Sequence, residues 1–135
     1  MKQIFLYIWQ LPQHLLGLFI WVILKTTKQT LKPFKLQDYP DCLIIPTTGQ
    51  SFCTGKYVFV YKDYCENLLK HEIGHSIQSK YLGPLFIIVF GIPSICAVIG
   101  REAHRKLSKE EKYRWYFSRF PENWANKLGG ANWFN

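Results

Sequence analysis

Long apolar stretches alternate with shorter polar segments along the 135-residue chain. The first apolar stretch, residues 4–24 (IFLYIWQLPQHLLGLFIWVIL), is long enough to cross a bilayer as one helix. No small-residue cleavage site follows it, so we expect a transmembrane anchor rather than a signal peptide. The positive-inside rule then places the N-terminus outside and the rest of the chain in the cytoplasm, because a run of lysines follows the stretch: Lys25, Lys28, Lys32 and Lys35.

Polar residues form a stripe within this first stretch. Gln10, Gln13, His14 and Gly17 fall on one face of a helix. Such a stripe in a membrane helix usually packs against protein rather than lipid. A helix-packing contact is therefore favoured for His14, with a functional role for the imidazole as the alternative.

Residues 36–62 have the pattern of β structure with turns. KYVFVYK alternates aromatic residues with valines, as strands do, and CLIIP is a short apolar run that Pro46 ends. TTGQSFCTG, between them, is expected to be a loop, so the sequence predicts a short β-hairpin. The KYVFVYK strand is either an edge strand that could hold an extended peptide or a purely structural element.

A helix is predicted over residues 64–82. Asp63 and Glu66 resemble a capping box at its start, and Gly83 followed by Pro84 is a stop signal. An apolar stripe runs along one face of this helix: Leu69, Ile73 and Ile77.

Further helices are predicted over residues 109–128. Ser108 opens a capping box in SKEEK, and Pro121 and Gly129 suit the first position and the stop of a second, short helix. Between Ser108 and Pro121, aromatic residues recur at helical spacing: Tyr113, Tyr116, Phe117 and Phe120. This aromatic stripe suits either an amphipathic core helix or a helix at a membrane interface.

The pentad HEIGH at positions 71–75 is the most informative motif of the chain. On a helix, His71 and His75 lie one turn apart on the same face, so both imidazoles can bind one Zn²⁺ ion. Glu72 lies beside them, placed to accept a proton from an attacking water, which is the H-E-x-x-H arrangement of zinc peptidases. The alternative is a partly exposed helix that carries two histidines by chance.

A catalytic zinc site needs a third protein ligand. Glu122 opens the short helix in PENWANKLGG and is the candidate third ligand. Asn126 lies one turn later on the same face, where its amide could hydrogen-bond a ligand side chain. Of the other downstream carboxylates, Glu110 and Glu111 are expected to be solvated charges at a helix start, and Glu102 lies in a charged run. The alternative for Glu122 is a surface carboxylate at a helix N-terminus.

HEIGH followed by ENWAN resembles the gluzincin peptidases, especially the integral-membrane ones whose second motif is E-x-x-A-D. The resemblance implies His71, His75 and Glu122 as zinc ligands and Glu72 as general base. The family's Asp falls on Asn126, whose amide can hydrogen-bond a histidine but adds no charge. Residues 54–130 also resemble small bacterial membrane proteins that carry HE-x-GH, apolar GPL and G-x-PS segments, and a W-A-[ND]-x-LGG ending.

The second apolar stretch, residues 84–100, is also long enough to cross a bilayer. A straight crossing would leave His75 and Glu122 on opposite sides, and the charged run after it is too polar to cross back. Because Gly91 and Pro93 fall in the middle of the stretch, we expect a re-entrant helical hairpin, with a spanning segment as the alternative.

The chain carries a net charge of +8, and its basic residues flank the apolar segments. No nucleic-acid-binding motif accompanies them, so we expect contact with anionic lipid headgroups and no nucleic-acid partner. The cysteines have no C-x-x-C spacing and are expected to be free thiols in a cytoplasmic body: Cys42, Cys53, Cys65 and Cys96.

These features predict a single-domain α+β membrane protein that hydrolyses peptide bonds near the cytoplasmic surface of a bacterial inner membrane. The expected cofactor is Zn²⁺, and the expected substrate is a peptide or a membrane protein. The candidates for stabilising the oxyanion are His104, Tyr113 and Tyr116. The alternatives are an intramembrane protease with zinc inside the bilayer, and a non-enzymatic membrane protein with a structural metal.

Overall fold

The computed structural model describes residues 1–93, 96, 99 and 108–133, and these residues form an α+β fold, as predicted. The helices are α1 (Lys2–Trp9), α2 (Leu11–Thr26), α3 (Glu66–Leu82), α4 (Lys109–Phe117) and α5 (Glu122–Gly129). The strands are β1 (Phe34–Leu36), β2 (Tyr39–Thr47), β3 (Phe52–Thr54) and β4 (Tyr57–Tyr61). Helix α3 packs against the sheet on one side and against α5 on the other.

The first apolar stretch forms two helices instead of the single helix expected over residues 4–24. Helices α1 and α2 meet at Gln10 with a bend of 66°. Pro12 explains the break, because it lies in the first turn of α2 and has no N–H to continue the hydrogen bonding of α1. In the described part of the chain, no single helix is both long and apolar enough to cross a membrane, whereas the bent α1–α2 pair meets these criteria when both helices are counted together.

The sheet has four strands in the order β1-β2-β4-β3, so the prediction of a simple hairpin was wrong. Two antiparallel pairs, β1–β2 and β3–β4, are joined by the parallel pair of β2 and β4. Part of the expected loop TTGQSFCTG forms β3, and Pro46 lies inside β2 instead of ending the apolar run. The KYVFVYK strand is β4, which lies inside the sheet, and the edge strands are β1 and β3.

Burial explains why the two central strands pair. Ile44, Ile45, Val58 and Phe59 are all fully buried, so successive residues of β2 and β4 face apolar surroundings on both sides of the sheet. One side packs against α3 and the other against α2.

Helix α3 packs on the sheet through Leu69 and Ile73, two members of the predicted apolar stripe. Its predicted stop is confirmed, because the chain leaves the helix at Gly83 with φ 53, a conformation that favours glycine. Its predicted start was wrong. The residue before the first turn is Cys65, and no side chain caps the helix there.

The segment after α3 continues as a 3₁₀ turn, Gly83–Leu85, and a π-helical turn, Ile87–Gly91. Five residues of the predicted re-entrant hairpin over 84–100 lie outside the described residues (94, 95, 97, 98 and 100), so the hairpin stays a prediction. In α4 the capping box of Ser108 is confirmed, since its side chain accepts from the Glu111 N–H and Glu111 accepts from the Ser108 N–H. Helix α5 includes Gly129, and its C-cap is Gly130, one residue later than the predicted stop.

The polar stripe of the first stretch packs against protein, as predicted. Gln10 donates a hydrogen bond to Ser79 Oγ, and Gln13 donates one to the Gly83 carbonyl. The imidazole of His14 is buried and takes part in this packing. The stripe therefore fixes α1 and α2 to the C-terminal end of α3.

Candidate metal centre

Close contact between α3 and α5 brings the predicted ligands together. A Cβ atom on Gly74 would overlap the carbonyl of Ala125, and a Cβ atom on Gly129 would overlap the carbonyl of Lys70. Glycine at both positions lets the two backbones touch, which no larger residue would permit. The glycine of HEIGH and the first glycine of the LGG ending therefore serve this contact.

His71, His75 and Glu122 form one cluster across this contact. The Nε2 atoms of His71 and His75 lie 3.0 and 3.1 Å from the same carboxylate atom, Oε2 of Glu122. One ligand atom from each residue lies within 4.8 Å of the others. Glu122 is fully buried, so the alternative of a surface carboxylate at this position is wrong.

The other nitrogen of His71 is held by Asn126. Its Nδ1 lies 2.7 Å from Asn126 Oδ1, and the same oxygen accepts a hydrogen bond of 2.9 Å from the indole N–H of Trp133. Asn126 Nδ2 donates to the Phe117 carbonyl at 3.3 Å. Because an indole can only donate and a carbonyl can only accept, these two bonds fix which end of the amide faces His71. The imidazole must therefore donate from Nδ1.

Gln78 holds His75 in the same way. Its Oε1 lies 2.7 Å from His75 Nδ1, and its Nε2 donates to the Pro121 carbonyl at 3.0 Å. The carbonyl again fixes the orientation of the amide, so His75 also carries its proton on Nδ1.

These tautomers create a site that requires positive charge. When each neutral imidazole has its proton on Nδ1, both Nε2 lone pairs face the Oε2 atom of Glu122, which is itself an acceptor. Three acceptors at such short distances repel one another unless protons or a metal cation lie between them. Two imidazole nitrogens and a carboxylate oxygen are also ligands that divalent metals accept, so the residues present fit a metal ion.

The carboxylate of Glu122 is ionised in this setting. Burial by itself would raise its pKa, but hydrogen bonding and positive charge at the facing Nε2 atoms of His71 and His75, which an Nε2 proton or a metal cation would supply, outweigh burial and hold the pKa well below its ordinary value. A buried anion needs a compensating cation, which again agrees with a metal site.

Glu72 lies beside the cluster, buried on α3. Burial raises the pKa of its carboxyl to about 7, the nearby charge of Glu122 adds to this, and His71 opposes it. Its Oε2 atom is buried and has no hydrogen-bond partner among the described residues. A carboxylate with an unpaired oxygen beside these three candidate ligands is suited to exchange a proton with a molecule bound there.

The remaining predicted residues do not join the cluster in the described part. His104 and Glu102 lie outside the described residues, and so does the side chain of Tyr113, although its backbone is part of α4. Tyr116 packs its ring edge-on against Phe117, whose ring in turn packs edge-on against His71 at 5.0 Å. An oxyanion donor from His104, Tyr113 or Tyr116 therefore stays a prediction.

Two of the downstream carboxylates have the surface roles expected of them. Glu110 pairs with Arg114 at 3.5 Å and is exposed, and Glu111 completes the cap of α4. Sequence reasoning missed Gln78 and Trp133. Gln78 could have been noticed because it lies three residues after His75, on the same helical face. Nothing local marked Trp133, whose role depends on tertiary contact.

Comparisons of the chain with protein-family models, curated proteins and solved structures found no match. The buried group of His71, His75 and Glu122 could hold a metal ion.

Proposed function

We propose that the protein is a membrane-associated zinc metallopeptidase, with Zn²⁺ held by His71, His75 and Glu122. The observation that carries the proposal is the convergence of two Nε2 lone pairs and a carboxylate oxygen, with Glu72 beside them. Two histidines and one glutamate form a ligand set of catalytic zinc sites, which use three protein ligands and leave a further position for water or substrate.

Zinc bound there would polarise the scissile carbonyl and lower the pKa of the attacking water. Glu72 accepts the proton of that water on its free carboxylate oxygen and passes it to the leaving amine. Asn126 and Gln78 keep the imidazoles of His71 and His75 in the tautomer that leaves Nε2 available.

The exposed apolar surface supports a location in the membrane. Helices α1 and α2 turn their polar stripe towards the protein and leave large apolar side chains uncovered, among them Ile4, Phe5, Ile8, Leu15, Phe19 and Val22. Apolar residues after α3 are exposed as well, including Leu85, Ile88 and Ile92. An apolar surface of this extent suits lipid acyl chains better than water. The lysines after α2 favour a cytoplasmic body.

The proposal is tested by metal content and activity together. Purified wild type should contain about one zinc per chain and should cleave members of a membrane-proximal peptide library in detergent or liposomes. His71→Ala and Glu122→Ala should lose both the metal and the cleavage, while Lys62→Ala, an exposed substitution, should keep both. Absence of zinc after metal-replete expression would overturn the proposal.

A structural metal site is the second candidate, and the burial of the cluster favours it. Glu122 is completely buried, and a metal ion would fasten α5 to α3. Under this reading, zinc would be present and removing it would unfold the protein, but no member of the library would be cleaved.

An intramembrane protease with zinc inside the bilayer is the third candidate function. Cysteine-accessibility labelling at positions 80 and 102 in intact cells would distinguish it from the metallopeptidase at the membrane surface. Labels accessible on the same face agree with a re-entrant segment, and labels on opposite faces indicate that residues 84–100 span the membrane.

A further inference from the structure

A second polar site lies on the side of α3 that faces away from α5. A surface cavity of about 290 Å³ opens between α1, the start of β2 and the C-terminal half of α3. Its charged lining consists of three lysines and one aspartate, which gives a formal charge of +2 (three minus one): Lys35, Lys56, Lys80 and Asp41. The size is at the small end of ligand cavities, so it suits a small anion rather than a polymer.

Two of the three lysines of the cavity are not neutralised by carboxylates in the described part of the chain. Lys80 pairs with Asp41 at 3.5 Å, an exposed contact, but no ion pair in the described part of the chain includes Lys35 or Lys56. The Lys56 ammonium lies 5.1 Å from the ring centre of Tyr7 and 5.3 Å from that of Tyr57. These rings position the ammonium without cancelling its charge.

His14 adds a neutral donor to the same lining. Its Nδ1 accepts a hydrogen bond of 3.3 Å from the backbone N–H of Lys56. In the neutral imidazole the proton must then lie on Nε2, for which the described residues provide no acceptor. The Nε2–H is therefore available to an acceptor atom bound in the cavity.

Helix α1 forms both a wall of the cavity and part of the exposed apolar surface. Leu6 and Tyr7 line the cavity, whereas Ile4, Phe5 and Ile8 on the same helix are exposed. A ligand with an anionic head and apolar tails would match this arrangement, with the head among the lysines and the tails along α1. Basic pockets beside membrane helices bind phospholipid headgroups in this manner.

We propose that this cavity is a binding site for a phosphate group, the group that an anionic phospholipid presents at the membrane surface. Lys56 and Lys35 supply charge to the phosphate oxygens, and the His14 Nε2–H supplies a directed hydrogen bond. The site is separate from the metal cluster, since Ser76 and Lys80 line it from the sheet-facing side of α3.

The test uses full-length protein in an uncharged detergent, with two probes. Inorganic phosphate is measured by equilibrium dialysis, and phosphatidylglycerol is measured by native mass spectrometry in micelles that also contain phosphatidylcholine. Lys56→Gln should weaken binding about tenfold, the usual effect of losing one charge-assisted hydrogen bond. Lys62→Gln, a change of the same chemistry on an exposed lysine outside the cavity, should leave binding unchanged.

Asp41→Asn provides a second variant, for which binding should become tighter because the substitution removes the only anionic group among the described residues of the lining. Misfolding cannot produce such a gain. Lysine-dependent binding of phosphatidylglycerol alone identifies a lipid headgroup site, and equal binding of inorganic phosphate identifies a site for soluble phosphate. The proposal is overturned if wild type binds neither probe, or if Lys56→Gln and Lys62→Gln bind alike.

Discussion

Gln78 Oε1 lies 2.7 Å from Nδ1 of His75, and the Nε2 atom of the same Gln78 donates to the carbonyl of Pro121. Pro121 directly precedes Glu122. One buried side chain of α3 therefore orients one candidate ligand, His75, and holds the backbone next to another, Glu122. The His75–Gln78 contact makes the ligand positions interdependent across the α3–α5 contact.

Replacing Gln78 should weaken metal binding without removing a ligand. We expect Gln78→Ala to lower zinc affinity about 10–100-fold, the usual cost of losing a partner that orients a histidine ligand. Competition with a fluorescent chelator measures the affinity. Gln37→Ala, at an exposed glutamine, is the control and should behave like wild type. Unchanged affinity in Gln78→Ala would mean that the His75 tautomer does not depend on this amide.

Trp133 should contribute through its indole N–H more than through its ring. Phenylalanine would keep the stacking on Phe117, whose ring centre lies 4.5 Å away, but would lose the hydrogen bond to Asn126 Oδ1. We expect Trp133→Phe to weaken zinc affinity about fivefold, as for loss of one net hydrogen bond. Asn126→Ala should weaken it more, about 10–100-fold.

Competition with the same chelator distinguishes the contribution of the Trp133 indole N–H from that of its ring packing. Trp21→Phe, on α2 and away from the cluster, serves as the matched control. A loss in Trp133→Phe as large as that in Asn126→Ala would indicate that ring packing, rather than the hydrogen bond, holds the site.

Gly74 should tolerate no side chain. In Gly74→Ala the new methyl group would overlap the Ala125 carbonyl, so α5 must move away and Glu122 with it. We expect a loss of about 1–3 kcal/mol in the free energy of unfolding, as for overpacked cores, together with weaker zinc binding. Denaturant unfolding and metal content check the two effects.

Gly49→Ala is the control for this substitution, because nothing lies within 4 Å of the position that its Cβ would occupy. If Gly74→Ala unfolds at the wild-type denaturant concentration and keeps its zinc, the close contact of α3 and α5 is not required.

Glu72→Gln should separate metal binding from catalysis. Glutamine is nearly the same size, so the zinc content should not change, but its amide cannot accept the proton of the attacking water. We expect cleavage to fall about 10²–10⁴-fold. Glu66→Gln, an exposed substitution on the same helix, should cleave like wild type. Equal cleavage by wild type and Glu72→Gln would point to a contaminating protease.

Local spacing made the ligand cluster predictable. His71 and His75 are one helical turn apart, and so are Glu122 and Asn126, and each pair lies within a single helix whose face can be worked out from the sequence. The pairing of these two helices could be expected only because a metal site needs a third ligand. The close approach of the two helices depends on Gly74. The sequence alone does not reveal this role, because it depends on the contact of Gly74 with Ala125 on the other helix.

The sheet and the N-terminal helices were predicted less well, for different reasons. The parallel pairing of β2 with β4 depends on contacts between segments far apart in sequence, and alternation within one strand carries no information about its partner. The bend at Gln10 follows from Pro12 in the first turn of α2, and the hydrogen bond from Gln10 to Ser79 holds the bent arrangement. Hydropathy over residues 4–24 describes the stretch as one apolar run and takes no account of the proline.

The contact of α3 with α5 also determines the direction of access to the metal centre. Backbone meets backbone at Gly74 and Gly129, so no passage exists between the helices there. Glu122 is fully enclosed, while the side chain of His75 keeps 12% of its surface exposed. Among the described residues, a metal ion or a chelator therefore has access to the cluster from the His75 side. A bulky residue placed at that rim would slow metal exchange while leaving His71, His75 and Glu122 intact.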